Sequence, residues 1–476
     1  MITWQDFEKD AAKYGKGAAI AHAIAAHEQG TDYRVAVEAD MYDRQQNKTI
    51  TEFVQRLFTS SGASVENFVA SNNRKASGFF NLLNTQRNSF LLGNGVSFAC
   101  ESILEKDRAE AYEAAATGEK GTGHANAPSE VAAGIARKAL GARFDNDLYE
   151  AGYYALIHGV SFCFWNVGRM HVFKLTEFAP LWDEETGALR AGVRYWCIDR
   201  GNKPVMAVLY EEDGLTRYKS KGNSAADFEP LDPGRTEPEA YRTTYSRAPA
   251  DEQAQVIARE NYGELPIVPL YGSRLHQSTL VGMKEAIDSY DIIANGWCND
   301  VRDCAQVYWI LENYGGMSDA DMAKFRDRML TMHIAVADTS SGGKITPYAQ
   351  EIPYQARDAL LTRLKEDIYR DFGGLDTQAL SGGSMTATAI KAAYEALNQK
   401  ADDFEMQVIE CVQGILKLIG IEDMPVFKRS MVVNESEMIQ AVMLEADILD
   451  EETLLRKLPN LTPDEVDAIL ARKRGG

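Results

Sequence analysis

The sequence predicts an α+β chain that is mostly helical, and three observations carry that expectation. Long stretches keep an apolar beat of three or four residues, most plainly over residues 280–421. A block over residues 161–219 alternates strand-like runs with turns. Hydrophobic residues make up 45% of 476 positions, enough for a large core and, at this length, about two to four domains.

Residues 1 to about 90 read as helical, with Phe53, Leu57 and Phe58 on one amphipathic piece and Phe79, Phe80, Leu82 and Leu83 on another. Residues 114–129 are polar and glycine-rich, the composition of a surface connection. A helix over about 130–158 ends near Gly159. Five strand-like runs follow at 161–166, 171–175, 191–198, 204–210 and 216–219, with a tight turn at 183–188, and together they predict an antiparallel meander. Residues 221–254, rich in proline, glycine and charge, predict an exposed excursion.

The next helix carries apolar residues at Leu280, Met283, Ile287, Tyr290, Ile293, Trp297, Val301 and Cys304, the pattern of one buried face. Lys284, Glu285, Asp288, Asp291, Asn295, Asn299 and Asp303 lie on the other side, and the rod is roughly 35 to 40 Å long. Residues 305–350 read as strands around a short helix that Ser318 caps, with Asp319 and Asp321 in its first turn. Leu360, Leu361, Leu364, Ile368 and Phe372 mark a second helix, entered through Pro353 and stopped by Gly373-Gly374. Residues 375–386 have no apolar period and many small polar side chains, so they read as a flexible loop. Ile390, Tyr394, Leu397, Ala401, Phe404, Val408, Val412, Ile415 and Ile419 then keep one beat through a last long helix. In the tail, Thr462, Pro463 and Glu465 form another helix-start signature. On periodicity alone this layout suits either a part repeated around an axis or an ordinary helical hairpin with a long connection.

Motifs for chemistry are scarce. No run of apolar residues is long enough to span a membrane, and the first residues lack a basic region followed by an apolar one, so a soluble cytosolic product is expected. The six cysteines are scattered among apolar stretches, as reduced, buried thiols would be. Gly343-Lys344-Ile345 lacks the hydroxyl residue of a phosphate loop, which argues against an ATP motor. The stretch from Gly159 through Ser161 to Cys163 lacks the glycine that closes a nucleophile elbow and reads instead as a strand entering a sheet. His22 and His27 miss metalloprotease spacing, while His158, His171, His276 and His333 stand alone. Adjacent acids such as Glu184 with Glu185, or Asp402 with Asp403, arise by chance among seventy carboxylates and suit solvated faces. No cofactor or metal is expected. Fifty basic residues against seventy acidic ones leave a net charge of -20, which opposes tight nonspecific DNA binding. Function is expected to lie in shape.

Five stretches, in order, resemble tailed-bacteriophage portal proteins, the head-tail connectors of the siphophage type. Gly78-Phe-Phe-Asn-Leu-Leu-Asn-Thr-Gln-Arg-Asn-Ser-Phe-Leu-Leu-Gly-Asn94 is similar to a family helix built from an aromatic, an aliphatic pair, a polar-basic step and Tyr-Leu-Leu-Gly. Residues 144–162 resemble the helix running into the first wing strand, and residues 180–196 the aspartate-bearing turn before an Arg-Tyr-Tyr strand. Residues 265–271 followed by 282–291 resemble the entry to the first stem helix. The ending, from Phe427-Lys-Arg-Ser-Met431 to Glu452-Thr-Leu-Leu-Arg-Lys-Leu-Pro459, is similar to the crown region. Trp182, Asn94 and a short tail depart from the pattern.

The resemblance implies a portal fold, with wing, stem, clip and crown around a central channel in a dodecameric ring. Residues 1–278 would be wing, 279–304 a stem helix, 305–352 clip and 353–372 the second stem helix. Residues 373–386 would be the tunnel loop facing DNA, 387–421 the long wing helix and 422–476 the crown. It implies a non-enzymatic role in genome packaging, retention and ejection at one capsid vertex of the virion, after assembly in the host cytoplasm. The partners implied are other copies of the chain, double-stranded DNA, the terminase large subunit, a head-completion adaptor, and the major capsid and scaffold proteins, with no membrane.

Gln378, Ser381, Ser384 and Thr386 are the small or uncharged loop residues suited to glancing DNA contacts, and Arg357, Arg363 and Lys365 the nearest cations for phosphate. The three cations are better suited to pairing with Asp358, Asp367 and Asp371, or across subunits, than to phosphate. An acidic channel wall predicts weak DNA affinity that changes little with salt; a steep loss of binding with added salt would contradict it. The alternatives are a virion scaffold or adaptor that binds protein only, and an acidic hydrolase with its site among the wing strands.

Overall fold

In the computed structural model the described residues are 3–54, 56–58, 64–66, 72–98, 135–197, 204–222, 227–235, 237–245, 256–304, 308–312, 318–332, 344–348, 354–377 and 387–430, with a few isolated positions beyond. They fall into two units, one of Met1–Asp43, Phe79–Met283 and Tyr369–Gly476, the other of Arg44–Gly78 and Lys284–Ile368. The chain is α+β.

The first unit is built on a five-stranded antiparallel sheet of β6 (Phe178–Trp182), β7 (Leu189–Cys197), β8 (Val205–Glu211), β9 (Gly214–Ser220) and β10 (Phe228–Pro230), in spatial order of sequence. Side chains alternate along each strand, so one sheet feeds two cores. Ala207 and Leu209 of β8 join Leu181, Val193 and Tyr218 under helices α1 (Trp4–Tyr14) and α2 (Lys16–Gln29), which contribute Phe7, Ile20 and Ile24. Val208 and Tyr210 point the other way. They meet Phe162, Phe164 and Phe173 from a three-stranded sheet of β13 (Ile267–Tyr271), β4 (Val160–Asn166) and β5 (Arg169–Lys174).

The expected single meander is therefore corrected. The first two strand-like runs belong to the three-stranded sheet, whose third member arrives a hundred residues later. Between them and β7 stands β6, which carries Pro180 and accordingly occupies a sheet edge. Most described residues of the excursion expected at 221–254 are exposed, but Phe228 and Tyr241 are buried, Phe228–Pro230 joins the five-stranded sheet, and Arg242–Tyr245 (β11) pairs with Val256–Glu260 (β12).

A third core lies between helices α7 (Phe144–His158) and α11 (Ala387–Leu418). The beat expected from Tyr394 to Ile415 is the buried face of α11, with Ala401, Phe404, Val408 and Val412 fully enclosed. The helix expected over 130–158 is instead two, α6 (Ile135–Leu140) and α7, separated at Gly141, whose φ of +80° a side chain would resist. Helix α5 (Phe79–Leu92) packs against both α7 and α11.

In the second unit, β1 (Arg56–Phe58) pairs with β2 (Ser64–Glu66), so Leu57 and Phe58 are in a strand where a helix was expected, and Phe53 is exposed. Strands β14 (Tyr308–Glu312) and β15 (Lys344–Tyr348) pair antiparallel around α9 (Asp319–Met332), whose Asp321 N–H donates to Ser318 Oγ as the capping pattern predicts. Helix α10 spans Tyr354–Phe372.

Helix α8 (Lys284–Cys304) reverses its expected orientation over much of its length. Leu280, Met283 and Ile287 at its entry are buried, but further on Asp288, Asp291, Asn295 and Asn299 are buried while Val301 is 54% exposed. The cause is an extended strap, residues 72–78, laid along the polar face. Asn73 N–H donates to Asn299 Oδ1 at 2.7 Å, Lys75 N–H to Asn295 Oδ1 at 3.0 Å and Ser77 N–H to Asp291 at 3.1 Å. Asn295 Nδ2 returns a bond to Lys75 O at 2.9 Å, and Asn47 Nδ2 reaches Asp288 at 3.4 Å. Every second strap residue advances about 6.6 Å and every fourth helix residue about 6 Å, close enough for the two to stay in step.

Residues 114–129 and 462–465 lie outside the described set. Among the described residues no helix is long and apolar enough to cross a membrane. Cys163 and Cys411 are buried free thiols as expected, whereas Cys197 and Cys298 are exposed.

Candidate functional site

The sequence placed its candidate residues on α10 and the loop that follows. Gln378, Ser381, Ser384 and Thr386 lie outside the described residues. Arg357 forms an ion pair with Asp300 of α8, a partner on a different helix from those expected. Arg363 pairs with Asp367 one turn on, at 3.3 Å, in the expected i,i+4 arrangement. With the arginine mostly in solvent, that pair contributes little. Lys365 is half-buried on the same helix.

What the structure describes in detail is the loop's root. Helix α10 ends in a two-bond C-cap, with Gly374 N–H donating to Tyr369 O at 2.9 Å and Gly373 N–H to Arg370 O at 3.1 Å. Gly373 has φ +71°, and a Cβ there would stand 2.9 Å from Lys400 Cγ. A Cβ on Gly374 would stand 2.3 Å from Leu83 Cδ2. The glycine pair that reads as the helix stop is a closely packed corner.

Helix α5 grips this corner with successive residues of one face. Phe79 meets the Tyr369 ring edge-on at 6.0 Å. Arg87 Nη2 donates to Phe372 O at 2.7 Å, and its guanidinium lies 4.6 Å over the Phe372 ring. Gln86 bonds Leu375 twice, accepting from its N–H at 2.8 Å and donating to its carbonyl at 2.9 Å. Phe90 stacks on Tyr394 of α11 at 5.8 Å, in a small core with Leu375, Leu397 and Ala401. The end of α10 and the second and later turns of α11 thus both rest on α5.

Arg87 is 6% exposed, and among the described residues its guanidinium meets a carbonyl and a ring rather than a carboxylate. Burial pulls its pKa down to about 10, against the more distant charge of Asp403, so it stays cationic at neutral pH. It sits at the negative end of α10, where a cation complements the helix dipole. A second arginine fixes the next exit of the chain: Arg429 donates to Asn398 O and Oδ1 at 3.2 and 3.0 Å and to Glu405 at 2.6 Å, and also pairs with Asp402. Burial works against its charge, but the two acids outweigh that and raise its pKa. Beside it, Ser430 N–H donates to Phe90 O at 2.9 Å.

In the sequence Gln86 and Arg87 stand only as part of the polar-basic step of the portal-like helix, with no role of their own. The available signal is an arginine at the helical position between Leu83 and Phe90, on the apolar face of α5.

Three histidines have polar partners: His158, one of those that read as standing alone, and His22 and His27, the two that miss metalloprotease spacing. His158 Nε2 lies 2.8 Å from Asp40, His22 pairs with Asp10 at 3.0 Å, and His27 bonds Leu175 O at 2.7 Å. Ser161 lies in β4, its hydroxyl donating to Ala151 O. No group of His, Cys, Asp and Glu suited to a metal ion occurs among the described residues.

The family model described as "Phage portal protein, SPP1 Gp6-like" matches residues 40–475. The portal protein of Clostridium phage phiCD119 is 26% identical over 212 residues, 43% of this chain and 47% of that protein. The portal protein of Bacillus phage SPP1 is 25% identical over 215 residues, 42% of each. The chain spans about half the length of these curated relatives or slightly less. A solved structure titled "Neck of native GTA particle computed with C12 symmetry" aligns over 66% of this chain and 80% of that one, with 13% identity and a TM-score of 0.35.

Proposed function

This chain belongs to the SPP1 Gp6-like family of phage portal proteins, and we propose from that premise that it is the portal subunit of a tailed phage. Copies of it form a ring at one capsid vertex of the virion, after assembly in the host cytoplasm. DNA enters through the ring's axial channel during packaging, is retained, and leaves through it on ejection. The family match over residues 40–475 is the observation that carries this reading.

The domain assignment proposed is wing for 1–278, stem for 279–304 and 353–372, clip for 305–352, tunnel loop for 373–386, long wing helix for 387–421 and crown for 422–476. Gln378, Ser381, Ser384 and Thr386 face the duplex. Arg357, Arg363 and Lys365 are candidates for phosphate, and the ion pairs of Arg357 and Arg363 temper their pull. A net charge of -20 per copy suits a wall along which DNA slides. The role is structural rather than catalytic, and the partners are terminase, a head-completion adaptor, and the capsid and scaffold proteins.

Helix α8 supports the ring. Its polar face is occupied by the strap, and about half a turn around the axis the half-buried Ile293 and Trp297 and the exposed Val301 form an apolar stripe that a neighbouring copy would cover. Electron microscopy of the purified protein, alone and with scaffold and capsid proteins, tests the reading. Closed rings of twelve copies with an axial hole are expected; a protein that never closes a ring in either setting would refute it.

A further inference from the structure

We propose that Gln86 and Arg87 of α5 are positioning residues for the tunnel loop, and that the corner at Gly373-Gly374 is its rigid footing. The claim about the footing stands on geometry alone; its consequence for DNA rests on the portal reading above.

Three features converge on this assignment. The C-cap closes both glycine amides onto α10, and the space a side chain would need at Gly374 is filled by Leu83. The Gln86 amide then supplies the next residue with one acceptor and one donor, as a neighbouring β-strand would, so main-chain order continues one residue past the helix cap. Arg87 holds the carbonyl of Phe372, which the cap leaves open. Side-chain amides and guanidinium groups placed on main-chain atoms fix the course of the backbone independently of the residues that follow. This gives a role to the polar-basic step between Leu83 and Phe90 on the apolar face of the helix, since through it α5 determines where, and in which direction, the loop begins.

Hydrogen exchange on the full chain reads this directly. The Gly374 and Leu375 amides are expected to exchange at least about a hundredfold more slowly than in an unstructured chain. Gln86→Leu should speed exchange at Leu375 by roughly tenfold, whereas Gln86→Glu, which keeps the acceptor, should leave that amide protected. Arg87→Met should loosen residues 372–375, with Arg87→Lys restoring part of the protection. If Arg87→Met does not fold, the two Gln86 variants carry the test. Unprotected amides in the wild type, or a Gln86→Leu variant that exchanges like it, would overturn the rigid footing.

For the consequence, Gln86→Leu is used to complement a portal-deficient phage, and DNA per head is measured beside images of the rings. Intact rings with under-filled heads are expected. Intact rings and full heads, with the footing loosened, would overturn the positioning role. A wild-type protein that forms no rings would defeat the portal reading while leaving the exchange result standing.

Discussion

Replacing Asn295 by alanine should release the strap from α8, and the structure permits the size of the effect to be worked out. Asn295 accepts from Lys75 N–H at 3.0 Å and donates to Lys75 O at 2.9 Å and to Asp291 O at 2.8 Å. Without it, the two main-chain groups of Lys75 lose their partners. Left dry, each would cost about 1–3 kcal/mol. The strap is only partly buried, so water reaches the orphaned groups and the combined loss falls to about 2 kcal/mol. Alanine returns about 0.5 kcal/mol of helix propensity. The net of about 1.5 kcal/mol is roughly a tenfold rise in local opening.

Hydrogen exchange at residues 73–77 is the assay. Ser289→Ala is the control, since that hydroxyl only bonds Glu285 O on the exposed side of the same helix. Faster exchange across the strap in Asn295→Ala, absent in the control, is expected. Equal exchange in the two variants would show that the strap is held by something other than the polar ladder.

Burial raises the Asp291 carboxyl above its ordinary range, the Ser77 bonds pulling it back in part and the charge of Asp288 adding to the rise. The folded state therefore holds that proton more tightly than the unfolded chain, and stability falls as pH rises from the usual carboxylate range through the raised value. Asp291→Asn should flatten that slope in denaturation midpoints taken from about pH 4 to 7; parallel curves for variant and wild type would count against it. Gly192→Ala would place a Cβ 2.0 Å from Phe178 Cζ, so a loss of about 1–3 kcal/mol is expected in chemical unfolding. Adding Phe178→Leu should recover part of that loss, and strict additivity of the two changes would contradict the contact.

Helix α11 was legible because its apolar beat from Tyr394 to Ile415 is buried within its own chain. Helix α8 was legible as a helix but not in its orientation. Periodicity finds two faces, and which one turns inward depends on a strap more than two hundred residues away in sequence. The clue was present in Asp288, Asp291, Asn295 and Asn299, short acceptors at helical spacing, which suit main-chain amides better than solvent. Sheet membership was hidden for a similar reason. Alternation marks Ser161 to Asn166 as a strand, yet its partner on one side is Ile267–Tyr271, and only pairing across a hundred residues reveals the second sheet. Strand β6 escaped because Pro180 argues against a central strand and does not mark an edge one. At the candidate site, the two glycines correctly marked the end of α10, but their local signal is identical for a hinge and for a locked corner. The difference lies in Leu83, Gln86 and Arg87.

Where the buried polar side chains go bears on what kind of protein this is. Asn84 bonds Phe80 O, Asn88 bonds Tyr149 O, Ser161 bonds Ala151 O and Ser278 bonds Ile157 O. Gln86, Arg87, Asn295 and Asn299 do the same for irregular backbone at 372–375 and 73–75. The carbonyls of Phe80, Tyr149 and Ala151 lie inside helices and take the side chain as a second donor, whereas Ile157 O and the groups at 372–375 and 73–75 lie at helix ends or in irregular backbone, and all these bonds hold main chain in place. The contacts of His158 with Asp40 and of Tyr153 with Asp43 are of another kind, joining side chains across α3 (Thr31–Asp43) and α7. Even there Tyr153 is driven further from ionising, by burial first and then by its bond to Asp43, the opposite of what an acid or nucleophile needs. Under the portal reading proposed above, polar groups that hold irregular backbone in place would let each loop begin from the same position in every copy of the ring.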